Sequence, residues 1–211
     1  MTTDQLITAL AADATPSWPF GRSFRCATAI GIAGAGAVFF SAIGPRADLA
    51  AALDTCRFLL KFLITVPLAI AATLAIARMS RPDRRSKHTC LALLAPPGLL
   101  IIAALLELFV VPPSLWMVRL VGSNSANCMT LVPLLATIPL AAFLSVLRRG
   151  APLDPGRAGA VAGLAAAAIA ASFYALNCFD DSPLFVLTWY PLAASIVIAF
   201  GYVLGLRMLR W

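Results

Sequence analysis

The stretch "AGAVAGLAAAAIAAS", residues 158–172, consists almost entirely of alanine and glycine and carries no charge. A helix with such small side chains on every face lets neighbouring helices approach closely, above all where Gly159 and Gly163 recur four residues apart. Gly201 and Gly205 repeat this spacing near the C-terminus. We therefore predict that residues 158–172 form the central helix of a membrane bundle.

The composition of the whole chain agrees with a membrane location. Of 211 residues, 61% are hydrophobic and only 12% are charged, with a mean hydropathy of +0.92. Soluble domains carry roughly 25% charged residues, and about 20 apolar residues cross ~30 Å of hydrocarbon. We predict an all-α integral membrane bundle of six transmembrane helices, at about 26–44, 58–77, 90–111, 126–147, 158–176 and 185–206.

The basic residues alternate between the two sides of the predicted bundle. Three fall on one side, namely Arg46, Arg57 and Arg119, and twelve fall on the other: Arg22, Arg25, Arg78, Arg81, Arg84, Arg85, Lys87, Arg148, Arg149, Arg157, Arg207 and Arg210. Lys and Arg accumulate in cytoplasmic loops, so we predict that both termini are cytoplasmic. Because the bases are scattered over short loops, they do not indicate nucleic-acid binding. The predicted domains are a tail, 1–24, and a transmembrane domain, 25–211.

The turn "LNCFDDSP", residues 176–183, combines a thiol with two carboxylates on the predicted outer face. In a bacterium this face meets the periplasm, an oxidising compartment. Asp180 and Asp181 would disfavour the thiolate of Cys178 unless a cation is bound. Thiolate and carboxylates together suit borderline-soft divalent metals. The alternative is a polar turn whose thiol has no function.

Cys128 follows "GSNSAN" at the start of the fourth predicted span. Asn124 or Ser125 would serve as the helix N-cap, and the helix dipole favours a thiolate in the first turn. The alternative is that this segment is only a good helix cap, and that Cys128 is a small apolar residue beside it. No CxxC motif is present, so a redox or zinc motif of that kind has no support. We interpret Cys26, Cys56 and Cys90 as small apolar residues buried in helices.

Two charged residues lie within predicted spans, Lys61 and Glu107. Intramembrane charges are candidates for function. Both are close to the outer boundary, so we expect them to snorkel or to pair with each other. No charge lies near the centre of a predicted span, which weighs against an ion-coupled transporter. We expect Trp116, Trp189 and Tyr190 to anchor the outer interface.

The N-terminal segment "MTTDQLITALAADA" predicts a short amphipathic helix. Thr2 and Gln5 form a capping-box pattern, and Leu6, Ile7 and Leu10 lie on one face. Such a helix is marginal alone and is stabilised in a groove on a partner. The alternative is a helix on the membrane surface, where its acidic residues would face anionic lipid. No basic residue precedes Arg22, so we expect no cleaved signal peptide.

Five segments together resemble the NrsF family of bacterial membrane-embedded anti-sigma factors. They are "MTTDQLITALAADA", "GPRADLAAAL" with "RFLLK", "GSNSANCMTLVPLL", "RRGAP" and "YALNCFDDSPLFVLTWY". Their spacing covers essentially the whole chain. The resemblance implies a multi-pass protein of the bacterial inner membrane. It also implies a cytoplasmic partner, an extracytoplasmic-function sigma factor, which the membrane protein releases under oxidant or heavy-metal stress.

The resemblance further implies two sensing cysteines, which correspond to Cys128 and Cys178. Asp180 and Asp181 would support them, and Leu6, Ile7 and Leu10 would contact the sigma factor. We expect no enzymatic activity and no cofactor, apart from a transient divalent heavy metal as a signal. Membrane lipid is an expected partner, nucleic acid is not, and a homo-oligomer stays open. The rival classes are a small transporter or channel, and a quinone-linked thiol oxidoreductase, which needs a vicinal cysteine pair.

Overall fold

A computed structural model describes residues 2–13, 19–79, 87–150 and 152–209. Within these ranges the chain is helical and contains no strand, and six helices are long and apolar enough to cross a membrane. The helices are α1 (Thr3–Asp13), α2 (Phe20–Val38), α3 (Leu49–Leu53), α4 (Cys56–Met79), α5 (Lys87–Val110), α6 (Trp116–Val121), α7 (Ser125–Leu147), α8 (Pro155–Ala175) and α9 (Pro183–Met208). The chain is thus a multi-pass membrane protein, and the six predicted spans are confirmed.

Helix α8 lies at the centre of the bundle, packed against α4, α7 and α9. It is buried over most of its length, because its alanines and glycines leave room for neighbours on every side. The Gly159–Gly163 face of α8 meets the Gly201–Gly205 face of α9 backbone to backbone. A Cβ on Gly163 would lie 2.6 Å from the carbonyl oxygen of Val197, closer than two such atoms can approach. The predicted central position of this segment is confirmed.

Helix α2 departs from the regular pattern at its end. It continues into a π-helical stretch, Phe39–Ile43, and stops at Gly44, whose φ of 77° lies in the left-handed region. Glycine adopts this conformation without strain. The sequence did not predict the π-helical stretch, nor the short helices α3 and α6 in the connections. Helix α2 begins at Phe20, a few residues before the predicted start of the transmembrane domain.

Two predictions about side-chain exposure are wrong. Cys26 and Cys56 are exposed on the surface of the bundle instead of buried in it. Tyr190 is only 6% exposed and lies inside the bundle. An interfacial anchor would instead be exposed at the membrane boundary. Each error comes from assigning exposure by position along a span, since the face on which a residue lies depends on which helices pack beside it. The Cys90 side chain falls outside the described residues.

Candidate functional site

The α8–α9 turn, residues 176–182, is shaped by backbone hydrogen bonds at both ends. The amides of Asn177 and Cys178 both donate to the carbonyl of Tyr174, at 2.9 and 3.0 Å, and so end α8. Ser182 begins α9 as its N-cap, and its hydroxyl accepts from the Leu184 amide at 3.2 Å. Pro183 follows in the first helical position, where its missing N–H costs nothing. The turn therefore has one defined path between two helices.

Cys178 is fully buried within this turn. Its backbone carbonyl accepts from Lys61 Nζ at 2.9 Å and from Arg46 Nη1 at 3.3 Å. Burial raises the pKa of the Cys178 thiol, and the nearby Lys61 cation opposes this effect. We predicted that the two aspartates would disfavour the thiolate. Asp180 does act in that direction, but burial is the main cause.

A buried ion pair holds the turn against α4. Lys61 is 1% exposed, and its Nζ lies 2.5 Å from Oδ1 of Asp181. Oδ2 of the same carboxylate accepts from Arg46 Nη1 at 2.9 Å, and Arg46 also binds Asp48 at 2.6 Å. Hydrogen bonding to Asp48 is the main reason that the Arg46 pKa is raised, although burial opposes it. The prediction that Lys61 snorkels or pairs with Glu107 is wrong.

Glu107 is the centre of a second charged cluster. Its carboxylate is 2.7 Å from Arg119 and 3.4 Å from Arg57. It also accepts from the Ser182 hydroxyl at 2.7 Å and from the Leu184 amide at 3.2 Å. Glu107 therefore ties α5 to the start of α9 and to the connection between α5 and α7. Its partners come from segments distant in sequence, which a search within single spans does not detect.

Asp180 joins the turn to the start of α7. Its Oδ2 accepts from the backbone amides of Ser123 and Asn124 at 2.9 and 2.8 Å, and from the Asn124 side chain at 3.0 Å. Asn124 is the N-cap residue, as predicted, but its own side chain makes no cap hydrogen bond. Gly122, with φ of 59°, turns the chain there. A Cβ on Gly122 would lie 2.7 Å from Asp180 Cγ, so only glycine fits against this carboxylate.

Cys128 lies in the first turn of α7, and its amide donates to the Asn124 carbonyl at 2.8 Å. The Tyr174 hydroxyl donates to the same carbonyl at 3.1 Å. Cys128 and Cys178 are both fully buried in one apolar cluster, and both are free thiols. The structure thus buries both predicted cysteines in the same cluster, and this burial opposes the reactivity that the helix dipole would give Cys128.

The polar groups around the thiols are mostly engaged. Asp180 and Asp181 both have partners, as described above, and no group of three or more His, Cys, Asp or Glu side chains in the described ranges is arranged to hold a metal ion. The Tyr190 hydroxyl is buried, and no partner for it occurs in the described part of the chain. Both thiols are therefore buried in one cluster, and the two carboxylates of the turn are already engaged by ion pairs and hydrogen bonds.

Arg46 and Ser182 are the residues that the sequence analysis missed. One signal could have found Arg46. It is a basic residue in a loop on the side where such residues are scarce, and the acidic turn at residues 176–183 lies on the same side. Two loops of opposite charge on one face favour an ion pair between them. Ser182 gave no comparable signal, because serine is common before a helix.

The N-terminal helix forms as predicted, with one of the two hydrogen bonds of a capping box. The Thr2 amide donates to Oε1 of Gln5 at 3.0 Å. Leu6 and Ile7 are 46% and 58% exposed, so their apolar face is open. The Leu10 side chain lies outside the described residues. Contact with a sigma factor is not tested by these observations and stays a prediction.

Comparison with known proteins agrees with this architecture. A family model described as "Negative regulator of sigma F" (NrsF) matches residues 10–211. The chain belongs to the NrsF family. It is 35% identical to the "Probable anti-sigma-F factor NrsF" of Azospira oryzae and 30% identical to the "Anti-sigma-F factor NrsF" of Caulobacter vibrioides, each over an alignment 214 positions long that covers both chains fully. No solved structure matches the chain.

Proposed function

We propose that this NrsF-family protein is an anti-sigma factor of the bacterial inner membrane. It holds an extracytoplasmic-function sigma factor and releases it when Cys128 and Cys178 react with an oxidant or a heavy metal. The anti-sigma role is supported by the family match over residues 10–211. The sensing role is supported by one observation above all: both thiols are fully buried in one cluster, and one of them, Cys178, lies in a turn that is bonded to most of the bundle.

The α8–α9 turn is connected to four other parts of the chain. Its Leu176 carbonyl accepts from the Arg46 amide at 3.0 Å, and Asn177 donates to the Gly44 carbonyl at 3.0 Å, which joins it to the end of α2. The bonds described above join it to α4, α5 and α7. A change at Cys178 that moved this turn would therefore disturb contacts with every long helix. This connectivity suits a signal that must cross the membrane.

Oxidation could change the conformation of the bundle by joining the two thiols in a disulfide. A disulfide between Cys128 and Cys178 forms when each thiol loses a proton and the pair transfers two electrons to the oxidant. The bond requires Cα atoms within roughly 7 Å, so any remaining separation would pull the start of α7 toward the turn. A divalent heavy metal bound by both thiolates would act similarly and would displace two protons.

Burial of the thiols sets a condition on the signal. Thiolates are the reactive form, and both sulfurs are enclosed. Access needs a small reagent or a transient opening of the turn. Once formed, the modified state must favour release by ~5.5 kcal/mol to move the population from 1:99 to 99:1. A covalent bond or a metal site can supply a difference of this size.

In this proposal, helix α1 binds the sigma factor. Its open Leu6–Ile7 face fits a hydrophobic groove on a partner, and a helix of this length gains stability by docking. In this proposal α1 and the basic loops hold the sigma factor. Movement of α7 and α8 at the turn alters the loop 148–157 at their other end, and so changes the docking surface.

The proposal is tested by purifying the full chain in detergent from its own cells and identifying the sigma factor that accompanies it. Unstressed cells should yield an extracytoplasmic-function sigma factor in the complex, and oxidant or cadmium should deplete it. Cys26→Ser and Cys56→Ser are matched controls, because these thiols are exposed and lie outside the buried cluster. Absence of any sigma factor, together with ion flux in liposomes, would replace this proposal with a channel function.

A further inference from the structure

An apolar groove runs along the surface of the bundle between α7 and α9. It has a volume of about 590 Å³. The α9 wall consists of Val197, Phe200, Leu204 and Met208, and the α7 wall includes Thr137, Ala141, Ser145 and Arg148. The hydroxyls of Thr137 and Ser145 each donate to a backbone carbonyl of their own helix at 2.7 Å. The groove therefore presents hydrocarbon along its length and one guanidinium at its end.

The part of the groove that has two walls is about as long as one leaflet of a bilayer. The α7 wall extends from Thr130 to Arg148, a rise of about 27 Å at 1.5 Å per residue, but the α9 wall extends only from Val197 to Met208, a rise of about 16 Å. Half of the ~30 Å hydrocarbon thickness is about the same length. A transmembrane helix from another chain would need a surface that extends across the full membrane. A fatty acyl chain needs only one leaflet, beginning at the polar boundary where Arg148 follows α7.

Charge at the mouth of the groove favours an anionic headgroup. Arg148 is exposed, and no carboxylate in the described part of the chain pairs with it. Arg149 is also exposed, but it does not line the groove. A guanidinium binds a phosphate through two parallel hydrogen bonds. A second copy of this chain is a poor occupant, because membrane topology would place its own Arg148 at the same end, and like charges repel.

We infer that this groove is a binding site for an anionic phospholipid. One acyl chain lies between Phe200 and Ala141, and the headgroup phosphate binds Arg148. The lipid fills the gap between α7 and α9 and holds their ends at a fixed separation. This site does not depend on the anti-sigma function, since neither the thiols nor α1 contribute to it.

The test uses the full chain in nanodiscs that contain phosphatidylglycerol and phosphatidylcholine. Native mass spectrometry reports how many lipids of each kind stay bound. We expect phosphatidylglycerol to be enriched over its share of the disc, and Arg148→Gln to reduce that enrichment by about five-fold, the effect of losing one basic residue near the phosphate. Arg149→Gln is the matched control and should leave the enrichment unchanged. Ala141→Phe should reduce retention of both lipids.

Three outcomes would overturn the inference. The first is that wild type shows no enrichment of phosphatidylglycerol. The second is that Arg148→Gln and Arg149→Gln reduce enrichment equally, which would indicate diffuse attraction to a basic surface. The third is that Ala141→Phe leaves lipid retention intact but converts a dimer to a monomer, which would assign the groove to a second copy. The two arginine variants decide the headgroup contact even where Ala141→Phe fails to fold, because both side chains are exposed.

Discussion

The two ends of the helix bundle differ in how their charges are satisfied. At the α8–α9 turn, Lys61, Arg46 and Asp181 form a closed network with bonds of 2.5 to 2.9 Å. At the opposite end, Arg148, Arg149 and Arg207 are exposed, and no ion-pair partner for them occurs in the described ranges. A charge buried away from water needs a partner within the protein, whereas an exposed arginine can bind an external one. The charges at the turn are paired within the protein, whereas the arginines at the opposite end are available to bind anionic groups outside it.

The same difference separates the features that the sequence could predict from those that it could not. Hydrophobic length predicted six spans, and small residues predicted the central position of α8, because both are local properties of one helix. The N-cap position of Asn124 and the hydrogen bond between the Thr2 amide and the Gln5 side chain are local as well, and both are found, although the Asn124 side chain makes no cap hydrogen bond.

The charged network at the turn could not be predicted in the same way. Lys61 and Asp181 are separated by 120 positions in the chain, and no periodicity connects them. The sequence showed that Lys61 and Glu107 were charged residues within apolar spans. Their partners could not be predicted, because these depend on which loops meet at that end of the bundle. The buried Tyr190 and exposed Cys26 were assigned incorrectly for the same reason, since the packing of neighbouring helices decides exposure.

The largest expected effect concerns which end faces the cytoplasm. Reporter fusions within 45–57, 112–125 and 177–184 should report an external location, and fusions within 148–157 should report an internal one, because basic residues accumulate on the inner side. The readout is close to all-or-none. A cytoplasmic signal from a fusion in 177–184 would reverse the assignment of the two ends and remove the argument for sensing at the turn.

Deletion of residues 2–15 should abolish retention of the sigma factor while the six spans stay inserted. Leu6→Asp combined with Leu10→Asp should act in the same direction, because a carboxylate on the apolar face opposes docking in a hydrophobic groove. Thr8→Asp is the matched control, since Thr8 lies on the opposite face of α1. Measurement is by co-purification from membranes. Full retention without the tail would move the docking site to the 78–89 loop.

Replacement of Lys61 by methionine should be the most damaging single change to stability at the turn. It leaves Asp181 with only Arg46 as a partner and removes a hydrogen bond to the Cys178 carbonyl. Breaking a buried pair costs about 3 kcal/mol or more. Arg57→Met is the matched control, because Arg57 is 48% exposed, and it should cost under about 1 kcal/mol. Unfolding of the detergent-solubilised protein measures both.

A double variant separates charge from packing in this result. Lys61→Met with Asp181→Asn removes both members of the pair and leaves Arg46 bound to Asp48. It should recover part of the stability that Lys61→Met loses, because the Asp181 carboxylate, which that single change deprives of one of its two cations, is replaced by a neutral amide. An additive loss from the two changes would show that the Lys61 side chain matters for its packing and that the ion pair does not hold the turn.

A smaller effect is expected in the rates of thiol alkylation. Cys178 should react with iodoacetamide more slowly than the exposed Cys26 and Cys56 at neutral pH, because its sulfur is enclosed and burial raises its pKa, and only the thiolate reacts. Its rate should rise with pH, as the thiolate fraction grows. Mass spectrometry of peptides after timed labelling measures each site. Equal rates at all four described cysteines would show that the turn is open in solution.

The central claim is that Cys128 and Cys178 act as one unit whose modification releases the sigma factor. The most direct measurement is the amount of sigma factor bound to the full-length protein before and after oxidant, in wild type, Cys128→Ser, Cys178→Ser and the double variant. The account predicts that wild type loses its sigma factor, that each single variant retains it, and that the double variant behaves like either single one. Loss of the sigma factor from the double variant, to the same extent as from wild type, would contradict it.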